Sequence, residues 1–239
     1  MEATFKKQYS LRTSDFDCNR RIHISSILDL FQDIAGEHAK LLGCSGDDML
    51  KRELLWVLVS VRFKILKMPK LNETVSVITW PLEQKGIRFQ REYKILNENG
   101  EEIILGTSKW VFIDLKTRKL ARASYIYPSG LEFKTDKNFE DEKIPDFDTP
   151  HGTYSVVPQF THLDTNGHVN NTKYADFIID AIANDDTEPI ITEAQIDYKS
   201  EVLFNEQLNI AYKYDGNKTL FKGTDKEGRI KFTAKFVSA

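Results

Sequence analysis

Apolar positions along the 239 residues follow two periods, and the two come in the same order twice. In the first half Ile27, Leu30, Phe31, Ile34, His38, Leu41 and Leu42 recur at steps of three and four, which gathers them on one helix face. Ser25 or Ser26 can cap the start of that helix, and Gly43 can end it. A period of two follows. Leu55, Val57, Val59, Val61, Phe63 and Ile65 alternate with Trp56, Leu58, Ser60, Arg62 and Lys64. Further on, Phe89, Arg91, Tyr93 and Ile95 alternate with Arg88, Gln90, Glu92 and Lys94. The second half repeats the scheme, with a helical set at Tyr174, Phe177, Ile178, Ala181 and Ile182. Its strand sets are Leu208, Ile210, Tyr212 and Tyr214, then Ile230, Phe232, Ala234 and Phe236. Alternation of this kind belongs to half-buried antiparallel sheet. Asn97-Glu98-Asn99-Gly100, Asp215-Gly216-Asn217 and Lys226-Glu227-Gly228 supply the turns.

One helix followed by antiparallel strands, written twice, predicts an α+β chain with a long helix packed against a curved antiparallel sheet in each half. The halves also share a short string. Asp17-Cys18-Asn19-Arg20-Arg21-Ile22 lines up with Asp164-Thr165-Asn166-Gly167-His168-Val169, and Asn72-Glu73 with Asn205-Glu206. From about Ser124 to Gly152 the periodicity gives way to Pro128, Pro145, Pro150 and many acids, which reads as an exposed connector. The expected organisation is an N-terminal domain over 1–130, a connector over 131–152 and a C-terminal domain over 153–239.

Composition narrows the function. A net charge of −3 argues against a nucleic-acid partner, which calls for a basic surplus. No apolar run approaches the roughly 20 residues that span a bilayer, so no membrane partner is expected. Met1-Glu2-Ala3-Thr4-Phe5-Lys6-Lys7 lacks the apolar core of a secretory signal, and the expected location is cytoplasmic. Two cysteines, Cys18 and Cys44, do not make a disulfide framework. Five histidines show no ligand spacing, so neither metal nor cofactor is expected.

The densest chemistry lies in His162-Leu163-Asp164-Thr165-Asn166-Gly167-His168-Val169-Asn170-Asn171-Thr172-Lys173-Tyr174. A carboxylate, a carboxamide and an imidazole stand within five residues, just ahead of a helical pattern. Together they offer an orienting group, a hydrogen-bond donor and an acid/base, and the helix start adds backbone N–H groups suited to a developing oxyanion. The same letters are also ordinary turn and cap chemistry.

Several strings in order carry a resemblance over nearly the whole chain: Thr79-Trp80-Pro81, then Ser108-Lys109-Trp110-Val111-Phe112-Ile113-Asp114 running to Thr117-Arg118-Lys119-Leu120. After them come the Leu163–Tyr174 string and Asp197-Tyr198-Lys199-Ser200-Glu201. The chain resembles the acyl-acyl carrier protein thioesterases, whose subunit is a tandem of two hot-dog domains. The resemblance implies hydrolysis of acyl-acyl carrier protein to free fatty acid and carrier. It places the catalytic positions at Asp164, Asn166, His168 and Glu201. Plant members often carry a cysteine after that glutamate; here Val202 stands there, which leaves attack by water, with Glu201 as base and His168 and Asn166 assisting. The roles of His168 and Glu201 can be exchanged. Strand parity sets Glu201 with Asp197 and Lys199, as for a solvated carboxylate, unless a bulge near Ser200 resets it. Plant members also carry a transit peptide, so a bacterial relative is expected.

Arg21 stands opposite His168 in the repeat, and Ile65 and Leu66 stand near the position of Glu201. The first half is therefore expected to hold the acyl chain, with Phe31, Ile34, Trp56 and Leu58 as candidate lining or plain core. An acidic carrier protein would dock on basic residues, for which Lys116, Arg118, Lys119 and Arg122, or Lys64, Lys67 and Lys70, are candidates. A homodimer is possible. Acyl-CoA hydrolysis and non-catalytic acyl binding are the competing readings.

Overall fold

The computed structural model describes residues 3–183 and 189–239, which leaves Met1 and Glu2 of the N-terminal run outside. The chain divides into two compact units. The N-terminal unit holds residues 1–22, 26–61 and 66–140, and the C-terminal unit holds 23–25, 62–65 and 141–239.

In the N-terminal unit, β1 (Phe5–Ser10), β3 (Thr74–Pro81), β4 (Phe89–Leu96), β5 (Glu102–Asp114) and β2 (Leu54–Ile65) lie side by side in that order. A short β6 (Leu120–Ala121) pairs with β5. Helix α1 (Ile24–Leu41) covers the sheet, and α2 (Gly46–Leu50) follows. Ile27, Phe31, Ile34 and His38 of α1 are buried, whereas Leu41 is 67% exposed and lies off the predicted face. Because α1 starts at Ile24, Ser25 and Ser26 fall inside its first turn and are not its cap. Gly43, at φ +68°, turns the chain away at the other end, a left-handed conformation that glycine adopts without penalty. Phe31 stacks on Tyr93 with ring centroids 4.3 Å apart. A side chain at Gly106 would sit 2.3 Å from the Phe31 ring, so this contact needs glycine there.

The alternation read along β4 breaks at one residue. Phe89, Arg91, Tyr93 and Ile95 are buried as a face, but Glu92 on the other face is fully buried too. Its carboxylate accepts from Gln90 Nε2 (2.8 Å), Thr107 Oγ1 (2.7 Å) and Asn138 N (2.9 Å). Asn138 also donates to Tyr93 O and Gly106 O, so this part of the supposed connector is fastened to the sheet. Ala123, Ile126 and Leu131 enter a core cluster with Phe89 and Phe112, and Phe147 is buried as well. Proline and acid content disguised these anchoring residues.

The C-terminal unit has the order β8 (Ile191–Tyr198), β11 (Ile230–Ser238), β10 (Lys218–Thr224), β9 (Leu208–Asp215) and β7 (Gly152–Val156), all antiparallel. Helix α3 (Lys173–Ile182) buries Tyr174, Phe177, Ile178 and Ile182 and packs beside β7 and β9. Phe232, Ala234 and Phe236 form the inner face of β11, while Ile230 at its start is 43% exposed. Lys231 and Lys235, on the opposite face of β11, are buried and paired with carboxylates. Each unit is thus α+β, an antiparallel sheet with a helix against it.

Candidate active site

A single carboxylate shapes the loop before α3. Asp164 Oδ1 accepts from the backbone N–H of Asn166 at 2.8 Å and of His168 at 3.3 Å, and Asn166 Nδ2 donates to Asp164 Oδ2 at 3.3 Å. Asp164 N donates to His168 O, and Gly167 N to Asp164 O, closing a tight loop in which Gly167 takes φ +79°. A bridge between Leu163 and Val169 clasps its ends. This is aspartate-turn chemistry, and its product is an imidazole at a fixed place.

Glu201 meets that imidazole. His168 Nε2 lies 3.2 Å from Glu201 Oε2, with the two side chains 27% and 46% exposed. Val169 N donates to Val202 O at 2.9 Å, and His168 bridges Leu203, so the two loops are also joined through the backbone. Asn166 is exposed at the rim of the loop, bonded to Asp164. The structure therefore brings His168 and Glu201 into contact and ties Asp164 and Asn166 to the same turn.

Glu201 does not lie on a strand, contrary to the simple parity argument: β8 ends at Tyr198. Lys199 N and Ser200 N both donate to Lys231 O, at 2.8 and 3.2 Å. Two successive amides on one carbonyl make a bulge, which resets the parity and turns Glu201 toward His168. Lys231 continues the support. Its ammonium donates to Glu201 O at 3.0 Å and pairs with Glu206 at 2.6 Å, and Glu206 accepts from Leu203 N at 2.8 Å. Sequence reading missed Lys231. Its only signal was a lysine beside Phe232 in an apolar strand.

The start of α3 differs from expectation. Thr172 N donates to Asn170 Oδ1 (3.1 Å) and Lys173 N to Asn170 O (2.9 Å), so neither amide is open to an oxyanion. His162, the other imidazole of the string, accepts from Gln159 N at 3.0 Å and packs edge-on against Phe177, a structural role. Burial raises the Tyr174 hydroxyl pKa well above the ordinary tyrosine range, so it stays protonated beside the Val202 backbone.

The N-terminal unit contains a cavity of about 220 Å³ lined by Ala35, Gly36, Trp56, Phe89, Arg91 and Trp110, among others. Of the four predicted lining residues only Trp56 reaches it. Phe31 and Ile34 are core, and Leu58 is half-buried elsewhere. Among the basic candidates, Lys116 pairs with Glu53 and Lys67 with Glu101, each at 2.6 Å. Among the described residues no group of His, Cys, Asp and Glu is arranged to hold a metal ion. No helix there is long and apolar enough to cross a membrane.

The model of the acyl-ACP thioesterase N-terminal domain matches residues 2–125, and that of the C-terminal domain matches 150–235. The oleoyl-acyl carrier protein thioesterase 2 of Arabidopsis thaliana is 30% identical over 223 residues, 83% of this chain and 59% of its own. The palmitoyl-acyl carrier protein thioesterase of Cuphea hookeriana is 28% identical over 206 residues, 80% of this chain and 48% of its own. The chain spans about half the length of the curated relatives it matches. An acyl-ACP thioesterase from Bacteroides thetaiotaomicron has the same fold, with a TM-score of 0.86 at 21% identity over 99% of this chain and 98% of that one. The 12:0-ACP thioesterase of Umbellularia californica superposes with a TM-score of 0.84 at 22% identity, over 99% and 97%.

Proposed function

The chain belongs to the acyl-ACP thioesterase family, and on that premise we propose that it hydrolyses acyl-acyl carrier protein to free fatty acid and carrier. The observation that carries the reading is the contact of His168 Nε2 with Glu201 Oε2 at 3.2 Å. An imidazole and a carboxylate in contact, partly open to solvent, make an acid/base pair with access to water.

In this mechanism Glu201 takes a proton as the water oxygen bonds to the thioester carbon. The carbonyl π electrons move to its oxygen, and the Asn166 carboxamide, at the exposed rim, donates to that oxyanion. Removing one such donor costs about 3 kcal/mol in well-studied hydrolases. Collapse breaks the C–S bond. The thiol released has a pKa near ~8.5, so it leaves as thiolate without strong acid assistance, and the proton on Glu201 returns to it or to solvent. His168 holds the Glu201 carboxylate toward the water, and Asp164 holds the loop. The mechanism uses no cysteine; Cys18 and Cys44 both belong to the N-terminal unit.

The division of labour belongs to the same proposal: an N-terminal domain over 1–130 holding the acyl chain, a connector over 131–152, and a C-terminal domain over 153–239 carrying Asp164, Asn166, His168 and Glu201. So do docking of the carrier on basic residues, a cytoplasmic location and a homodimer. The test is hydrolysis of carrier-linked acyl chains of graded length beside acyl-CoA. Turnover of the carrier-linked substrate above acyl-CoA supports the reading, equal turnover moves the substrate to CoA, and no turnover of either leaves an acyl-binding module.

A further inference from the structure

The cavity of the N-terminal unit holds a cation without a counter-ion among the described residues. Its walls are mostly hydrocarbon and aromatic, from Ala35, Trp56, Phe89 and Trp110, yet Arg91 lines it too. Arg91 is 6% exposed on β4. One terminal nitrogen approaches His38 Nδ1 at 3.0 Å and donates to Thr79 Oγ1 at 3.2 Å. Nε and the second terminal nitrogen have no hydrogen-bond partner among the described residues, and no carboxylate there pairs with the guanidinium. Neither of these nitrogens is among the sealed, unsatisfied polar atoms, so both keep some accessible surface, and Arg91 is one of the residues that line the cavity.

The neighbours do not neutralise this charge. His38 is held uncharged, its pKa brought down to about 4 by burial and then by the adjacent guanidinium, so its Nδ1 accepts from Arg91 without offering it a counter-charge. Glu92, one residue on, is on the other face of the strand and engaged with Thr107, Gln90 and Asn138. A plain hydrocarbon chain filling the cavity would strip water from the remaining N–H donors and offer nothing in return, which is unfavourable for a buried charged group.

We infer that the cavity takes an acyl chain bearing an oxygen acceptor along its length, a hydroxyl or oxo group, which the free N–H groups of Arg91 bind. The inference rests on the proposed function for the ligand's being an acyl chain, and it adds the substrate class. A hydrogen bond to a charged group is worth about tenfold or more in affinity.

The experiment measures binding of non-hydrolysable S-alkyl pantetheines to the full chain by calorimetry. S-decyl pantetheine is compared with counterparts carrying a hydroxyl or oxo group at successive carbons. At least one oxygenated probe is expected to bind about tenfold tighter than the plain one, and Arg91→Met is expected to abolish that preference. A plain chain bound as tightly as every oxygenated one overturns the inference, as does no binding of any probe or a preference that survives Arg91→Met. If Arg91→Met instead admits longer plain chains and the unmodified protein shows no preference, Arg91 is a floor to the cavity and the inference falls. Should that variant not fold, the comparison on the unmodified protein decides alone. The probes are not hydrolysed, so a preference seen without turnover of carrier-linked substrate removes the proposed function and leaves this site standing.

Discussion

The two aspartate loops have nearly the same backbone and different chemistry. In the N-terminal unit Asp17 Oδ1 accepts from Asn19 N and Arg21 N, both at 2.8 Å, Asp17 N donates to Arg21 O, and Phe16 bridges Ile22. In the C-terminal unit Asp164 makes the same set with Asn166 and His168, and Leu163 bridges Val169. A short 3-10 turn precedes each, at Thr13–Asp15 and Phe160–His162. The difference that changes the chemistry is at the fifth position, Arg21 against His168. In the second loop a glutamate delivered by a bulge lies 3.2 Å from the imidazole. The aspartate makes the loop in both units, and in the C-terminal unit an imidazole at the fifth position and an acid from another segment make it a candidate site.

The widest test of that contrast is Glu201→Gln, which keeps the shape and removes the base. Turnover of carrier-linked substrate is expected to fall by about 10²–10⁴ with the melting temperature unchanged, and a smaller loss would deny Glu201 its role. Next comes the pair Asp164→Ala and Asp17→Ala. Each removes comparable backbone hydrogen bonds and is expected to cost about 1–2 kcal/mol in denaturant unfolding. Only Asp164→Ala should also lower kcat, by tenfold or more, as its imidazole loses its place.

Lys231→Met sharpens the comparison from the strand that supports the bulge. We expect kcat to drop about tenfold with KM little changed, because the Glu201 backbone loses its anchor. Lys231→Arg should restore most of kcat, and failure to do so would reduce Lys231 to packing.

A separate effect, on stability and not on turnover, belongs to His38. Its pKa moves from 6.5 in the unfolded chain to about 4 in the folded one, so the unfolded chain gains the proton first as pH falls. Its contribution is complete above pH 6.5 and drains away between there and pH 4, about 3 kcal/mol in all. His38→Gln should flatten that part of the stability profile, read by urea titration at several pH values.

Sequence made the helices and strands legible because period and burial coincide in Phe31, Ile34, Phe177, Phe232 and Phe236. It made the aspartate loop legible because turn chemistry is local: Asp164 reaches partners only two and four residues away. It left Glu201 ambiguous because the bulge that places it depends on Lys231, thirty residues on, and parity counting assumes an unbroken ladder. Arg91 and Glu92 were read as the two faces of an amphipathic strand, yet both are buried. Their partners His38, Thr79, Thr107 and Asn138 come from four separate segments, and no window along the chain holds them together. The connector misled for the same reason, since Asn138 is an ordinary loop residue until its amide finds Tyr93 and Gly106.

Lys231 joins the carbonyl of Glu201 to the carboxylate of Glu206, and Glu206 in turn holds the amide of Leu203. Two ends of one short loop are thereby stapled by a single ammonium rooted in the sheet. Anyone wishing to retune this protein has a handle outside the reacting groups: lengthening or shortening that staple would shift Glu201 while every proton-transfer partner keeps its identity.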